Sequence, residues 1–176
     1  LDKDTSGVIV VVKNEKAMTG LARQFKERKV GKEYLAVIWG RPKAGKGRIE
    51  TKIGRSARDR KKMSVHPVSG RQAISVYETI ETRGGMSLVQ VRIETGRTHQ
   101  IRVHLAHIGH PVVGDADYGG RKAAALAAGV QRQMLHAAVL SFTHPRTRKK
   151  MVFSAPMPDD MKGLMERQMQ DRDHRP

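Results

Sequence analysis

Cysteine is absent from the 176 residues, which excludes disulfides, thiolate zinc sites and cysteine nucleophiles. Long apolar runs are missing as well. The longest, Val8-Ile9-Val10-Val11-Val12, falls far short of the roughly 20 residues that a membrane-spanning helix needs. No secretory signal opens the sequence and no internal repeat divides it. A cytoplasmic protein with no membrane partner is expected. Acidic residues are scarce: 17 Asp plus Glu face 34 Lys plus Arg, for a formal net charge of +17. Such an excess attracts polyanions at long range, and nucleic acid is the polyanion that a basic domain most commonly meets. Solubility alone does not require so large a charge.

The length suits one domain with a real core, expected over 1–169 and followed by a charged tail, 170–176. The first residue is Leu1 rather than Met, and the opening reads like a domain interior, so a preceding segment is expected. Residues 8–13 are β-branched and continuous, as in a strand covered on both faces. Asn14 can cap a helix whose core stripe is Met18, Leu21, Ala22 and Phe25, stopped by Gly31. Tyr34 to Trp39 reads as a second buried strand ended by Gly40-Arg41-Pro42. The basic, Gly-rich stretch 43–70 holds only short strand candidates, around 49–51 and 62–65.

Alternation returns over 72–79 and 88–95, with Val89, Val91 and Ile93 facing one way and Arg83-Gly84-Gly85 as the hairpin turn. Thr98 can cap a short helix with Ile101, Leu105 and Ile108 on its core side, ended by Gly109 and Pro111. Strands near 135–142 and 151–153 follow, joined at His144-Pro145. An Ala-rich loop or short helix is expected at 122–129. A last helix carries Met161, Leu164, Met165 and Met169 on one side, a docking face rather than a ligand groove. The fold class expected is α+β, a mostly antiparallel mixed sheet flanked by a few helices and loops.

Three pieces carry candidate chemistry. Leu1-Asp2-Lys3-Asp4-Thr5-Ser6-Gly7 places a carboxylate on a tight turn at a sheet edge; taken alone it is equally an Asx or Ser/Thr turn that satisfies backbone donors. The second is Gly96-Arg97-Thr98-His99-Gln100-Ile101-Arg102-Val103-His104. Here Arg102 lies on an otherwise apolar helix, where a cation needs an anionic partner; the alternative is a basic solvated face. The third, Lys32-Glu33-Tyr34, puts a phenol at the start of a buried strand, which is also where a core tyrosine with a wet tip would sit.

Together with Gly109-His110-Pro111-Val112-Val113-Gly114-Asp115-x-x-Tyr118-Gly119, these motifs resemble the RluA/RluD group of RNA pseudouridine synthases, from Leu1 to about Met165. Ile53-Gly54-Arg55 and Lys62-Met63-Ser64-Val65-His66-Pro67 are most similar to the RluD-like branch. The resemblance implies isomerisation of uridine to pseudouridine in structured RNA, large-subunit (23S) ribosomal RNA favoured, without cofactor or metal. It assigns the essential aspartate to Asp2, which stands three residues before Thr5, and ranks Asp4 well below. It assigns the arginine that keeps that acid ionised and positioned to Arg102, and the base-stacking tyrosine to Tyr34. Ile101 and Leu135 are the expected apolar walls, Leu135 by looser analogy.

Arg41, Arg55, Arg58, Arg60, Lys61, Lys62, Arg97 and Arg121 are the expected phosphate contacts, and a monomer is expected. In the family a His-Arg pair precedes Leu-Asp, and its arginine helps displace the base; this sequence opens one residue later. The same reaction on transfer RNA and a non-catalytic RNA-binding module are the alternatives. A metal-dependent hydrolase is disfavoured, because His99, His104, His107 and His110 lack the spacing and carboxylates of a metal site.

Overall fold

Alternation of apolar and polar residues builds the sheet. We describe a computed structural model that covers residues 1–120 and 129–170. The stretch 122–129, Arg121 and the tail 170–176 therefore fall almost wholly outside the described residues. The elements, in chain order, are β1 (Ser6–Gly7), α1 (Glu15–Lys26), β2 (Gly31–Trp39), β3 (Lys46–Arg55), β4 (Met63–Ser64) and β5 (Arg71–Arg83). They continue with β6 (Met86–Ile93), α2 (Gln100–His107), β7 (Leu135–Thr143), β8 (Lys150–Ser154) and α3 (Asp159–Gln170).

The eight strands form one sheet in the order β1-β7-β2-β6-β5-β3-β4, with β8 also on β7. Every pairing is antiparallel except β1 with β7, which makes the sheet mixed. The α+β architecture is the one expected. Val89, Val91 and Ile93 are buried while Arg92 is exposed. The β5–β6 hairpin turns through Gly84 and Gly85, both at positive φ (51° and 79°), as a two-residue turn of the tight hairpin type requires. The main core joins β2, β5 and β6 to Ile101 and Leu105 of α2 and to Met161, Leu164 and Met165 of α3.

Five sequence expectations are corrected. Residues 8–13 lie in no strand: Val8, Val10 and Val12 pack on Leu21, Val30, Leu140 and Phe142, whereas Ile9 and Val11 face solvent. The run is buried on one side only. Of the α1 stripe, Leu21 is buried but Met18, Ala22 and Phe25 are exposed. The buried face follows Gly20, which a Cβ would drive to 2.8 Å from Pro145, and Gln24, which bonds the Thr143 carbonyl at 2.7 Å and accepts its amide at 2.9 Å. The helix ends at Lys26, with Arg28 in the left-handed region, and Gly31 opens β2 instead.

Stretch 43–70 contains the ten-residue β3, whose inward face is Gly47, Ile49, Thr51 and Ile53. Gly47 lies under Tyr77, where a Cβ would come within 2.7 Å of the ring, so the glycine that hid the strand is there for packing. Finally α2 is preceded not by a Thr98 cap but by His99 in the left-handed conformation.

Buried polar groups lock α2 onto the sheet. Gln100 donates to the Ile74 carbonyl (2.9 Å) and Ser75 Oγ (3.0 Å), and accepts from Thr95 Oγ1 (2.8 Å) and the Arg97 amide (3.0 Å). His104, fully buried, bonds Thr51 Oγ1 at 3.0 Å and Ser75 Oγ at 2.9 Å. Burial, then the neighbouring His107, lowers its pKa to about 4. Unfolded, this histidine takes a proton as pH falls below about 6.5; folded, it resists until about 4. The neutral-histidine contribution to stability is therefore present above that window and lost as pH falls through it. Between pH 7 and 5 the wild type is expected to lose about 2 kcal/mol more stability than His104→Gln, read from urea midpoints. Parallel pH profiles for the two proteins would contradict this.

Candidate active site

The opening loop is built from its backbone outward. The Thr5 amide bonds the Asp2 carbonyl at 3.1 Å, closing a turn in which Asp4 adopts φ +66°. Gln133 donates to the Lys3 carbonyl at 2.6 Å and to Thr5 Oγ1 at 3.2 Å. Arg132, held by Asp160 of α3 through bonds of 2.7 and 2.9 Å, reaches the Asp4 carbonyl at 3.4 Å. Ser6 and Gly7 then pair with His136 and Ala137 of β7. Gly7 has φ +114°, and a Cβ there would stand 2.2 Å from the Ala137 oxygen, so no other residue fits this closure.

Asp2, Tyr34, Ile101, Leu135 and Arg97 line one cleft of about 500 Å³, with Leu1, Thr5, Phe25, Lys32, Ile93 and the stretch Gly96-Arg97-Thr98-His99-Gln100. Tyr34 reaches it beside a β-bulge: Glu33 faces Val139 and Tyr34 faces Ala137, leaving Ala138 as the extra residue on β7. Bulges commonly re-aim side chains beside functional sites. Burial, then the Asp2 carboxylate, raises the Tyr34 pKa, so the phenol keeps its proton at neutral pH.

Arg102 lies behind Asp2 and is 6 % exposed. Its Nη1 stands 3.5 Å from Asp2 Oδ2, at the outer edge of hydrogen bonding. Its main partner is another acid. Nε and Nη2 meet the two oxygens of fully buried Asp115 at 2.7 and 2.8 Å, and Nη2 also meets Asp117 Oδ2 at 2.7 Å. The Tyr118 ring covers the guanidinium, centroid 5.0 Å from Cζ. Burial works against the charge on Arg102, but Asp115, Asp117 and Asp2 outweigh it and hold its pKa above the ordinary range. Asp115 Oδ1 accepts as well from the amides of Asp117 (3.0 Å) and Tyr118 (3.1 Å). Asp2 Oδ1, by contrast, has no protein partner among the described residues. The cleft thus presents a braced carboxylate with one oxygen free.

Asp115, Asp117 and Tyr118 belong to a motif that the sequence displays, and the rule that a buried cation needs an acid could have singled out Asp115. Gln133 and Arg132 carry no sequence signal, since their work is done on distant backbone. Loop 55–62 docks against this cluster: Lys62 Nζ bonds the Asp117 carbonyl at 2.7 Å, and the Met63 amide donates to Tyr118 Oη at 2.9 Å. Arg55, Arg58, Arg60 and Lys61 are exposed on that loop and Arg41 is exposed elsewhere; none of them lines the cleft. The four histidines have separate duties. His99 bonds Tyr118 Oη (2.7 Å), His104 braces α2, His110 bonds the Trp39 carbonyl (2.8 Å), and the His107 ring meets His66 edge-on at 5.8 Å. Among the described residues no helix is long and apolar enough to cross a membrane.

A family model described as RNA pseudouridylate synthase matches residues 1–107. The chain is 46% identical to an uncharacterized RNA pseudouridine synthase of Chlorobaculum parvum, over 93% of this chain and 54% of that protein. It is 43% identical to the ribosomal large subunit pseudouridine synthase D of Vibrio vulnificus, over 94% of this chain and 53% of that protein. The chain thus spans about half the length of the curated relatives it matches. Among solved structures, human RNA pseudouridylate synthase domain containing 1 superposes with a TM-score of 0.79 at 29% identity, covering 100% of this chain and 79% of that one.

The geometry around Arg102 sets an unequal cost for its acids. Removing a buried partner strands a charge, so Asp115→Ala is expected to cost about 3–5 kcal/mol in denaturant unfolding. Asp117, 45 % exposed, is replaceable by water, and Asp117→Ala is expected to cost under about 1 kcal/mol. Equal costs would show that Asp115 is not the anchor.

Proposed function

The chain belongs to the RNA pseudouridylate synthase family, and on that premise we propose that it isomerises uridine to pseudouridine in structured RNA. Large-subunit ribosomal RNA is the proposed substrate class, in keeping with the name of the Vibrio vulnificus relative. One observation carries the reading. A carboxylate with a free oxygen lines a cleft of about 500 Å³ together with an aromatic ring, and lies against a buried guanidinium. A protein that merely bound RNA would need the surface charge but not this cluster.

In the reaction the C1′–N1 bond breaks, the base turns, and C5 bonds to C1′; C5 gives up a proton and N1 gains one, so nothing is oxidised and nothing leaves. Breaking the glycosidic bond builds positive charge at C1′. Asp2 stabilises that charge or bonds to the carbon through its free oxygen, or it takes the C2′ proton to give a glycal. Arg102 is a positioning residue, keeping the acid ionised and aimed. Tyr34 stacks on the displaced base, a contact worth about 1–3 kcal/mol, and its retained proton lets it serve in proton exchange at C5. Ile101 and Leu135 exclude water from the pocket. Loop 55–62, with Arg41 and Arg97, tracks phosphates. The domain so proposed spans 1–169, acts as a cytoplasmic monomer, and takes no cofactor or metal.

Tritium release from ribosomal RNA labelled at uridine C5 tests the chemistry. Asp2→Asn is expected to lower release by at least about a thousandfold while still binding RNA; equal release would remove Asp2 from the mechanism. Salt dependence tests the surface. Arg55→Ala, Arg60→Ala and Lys61→Ala combined are expected to flatten the slope of log affinity against log salt by roughly two. An unchanged slope would take loop 55–62 off the RNA.

A further inference from the structure

Lys32 and Arg97 stand at the cleft without an acid. Lys32 is on β2, two residues before Tyr34, so both side chains leave the strand toward the same side and both line the cleft. Its ammonium lies 5.8 Å from the Phe25 ring centroid and 3.6 Å from where a Cβ on Gly96 would stand. Arg97 has its Nε on the Gln72 carbonyl at 3.0 Å, and its two terminal nitrogens have no protein partner among the described residues. Neither cation has a carboxylate in ion-pair range among the described residues. Burial, then the charge of Arg97, lowers the Lys32 pKa. Two cations drawn together in a half-buried wall, with donors to spare, are destabilised until an anion joins them.

Asp2 lines the same cleft, so a nucleotide held over that acid and the two cations share one pocket of about 500 Å³. We infer that Lys32 and Arg97 form a phosphate subsite within the cleft, which takes a phosphodiester flanking the nucleotide held over Asp2. The inference rests on the proposed RNA substrate and adds a specific anchor for it. Arg97 supplies paired donors in a plane, Lys32 a point charge, and the Phe25 ring holds the ammonium in place. Binding energy from such a non-reacting group orients the ribose for reaction.

The test is an NMR titration of the whole chain with uridine, uridine 3′,5′-bisphosphate and inorganic phosphate, following the Gly96 and Arg97 amides. The bisphosphate is expected to saturate at a concentration about tenfold or more below uridine, with those amides shifting. Lys32→Met is expected to shrink the ratio to under about threefold, Lys32→Arg to keep it, and Lys150→Met, a charge-matched change on β8, to leave it alone. Lys32→Gln replaces the Met variant if that one does not fold. A full ratio in Lys32→Met, or inorganic phosphate matching the bisphosphate without moving Gly96 and Arg97, overturns the subsite. Tritium release separates the two failures. If Asp2→Asn abolishes release while Lys32→Met keeps its phosphate preference, only the subsite falls; if Asp2→Asn releases tritium normally, the enzymatic reading falls while the phosphate site can stand.

Discussion

The buried pair between Arg102 and Asp115 is the interaction on which the rest of the site depends. A guanidinium on an apolar helix would be intolerable alone, and Asp115 meets it with two parallel charge-assisted bonds. The same carboxylate collects the amides of Asp117 and Tyr118, so one acid fixes both the arginine and the turn beside it. With Nε and Nη2 committed there, Nη1 is directed to Asp2. The looser 3.5 Å contact suits a group that exchanges partners in the proposed reaction. The tight bonds lie one layer back, where nothing has to move.

Strand β7 supplies the other constraint. It takes β2 along one edge and shares the other between β1 and β8, so the loop carrying Asp2 and the strand carrying Tyr34 are both registered on it. Closure at Gly7 sets the acid's distance from the strand, and the extra Ala138 sets the tyrosine's aim. Gln133 and Arg132, just before β7, hold the acid's loop through its carbonyls. Residues far apart in sequence thus share one rigid support, as precise positioning requires.

The motifs made the α+β class, the family resemblance and the candidate residues legible, because those features reside in local residue identity. What stayed hidden depended on partners distant in the chain. The run 8–12 has the composition of a buried strand, yet its burial is decided by whether two layers cover it, and only one does. The face of α1 is chosen by Gln24 bonding backbone at Thr143 and by Gly20 meeting Pro145, neither of which hydrophobic periodicity registers. Strand β3 was masked by Gly47, which serves packing under Tyr77, and by the charged outer positions Lys46, Arg48, Glu50 and Lys52. His99 in place of Thr98 before α2 follows from its bond to Tyr118. Asp115 stood in a recognised motif, but its role emerged only when the turn was placed against Arg102.

The excess of positive charge then divides into two populations. On the outside, exposed arginines and lysines of loop 55–62 provide long-range attraction, and the loop is tied to the site through Lys62 and Met63. Inside, Arg102 is neutralised by acids and serves geometry. Its proposed purpose is to aim Asp2 at a ribose, and a crystal structure of Asp2→Asn bound to uridine-containing RNA tests that most directly. The expected result is a flipped uridine stacked on Tyr34, with its C1′ within about 4 Å of the residue-2 side chain. RNA lying across the basic loop with the cleft empty, or a ribose turned away from residue 2, would contradict it.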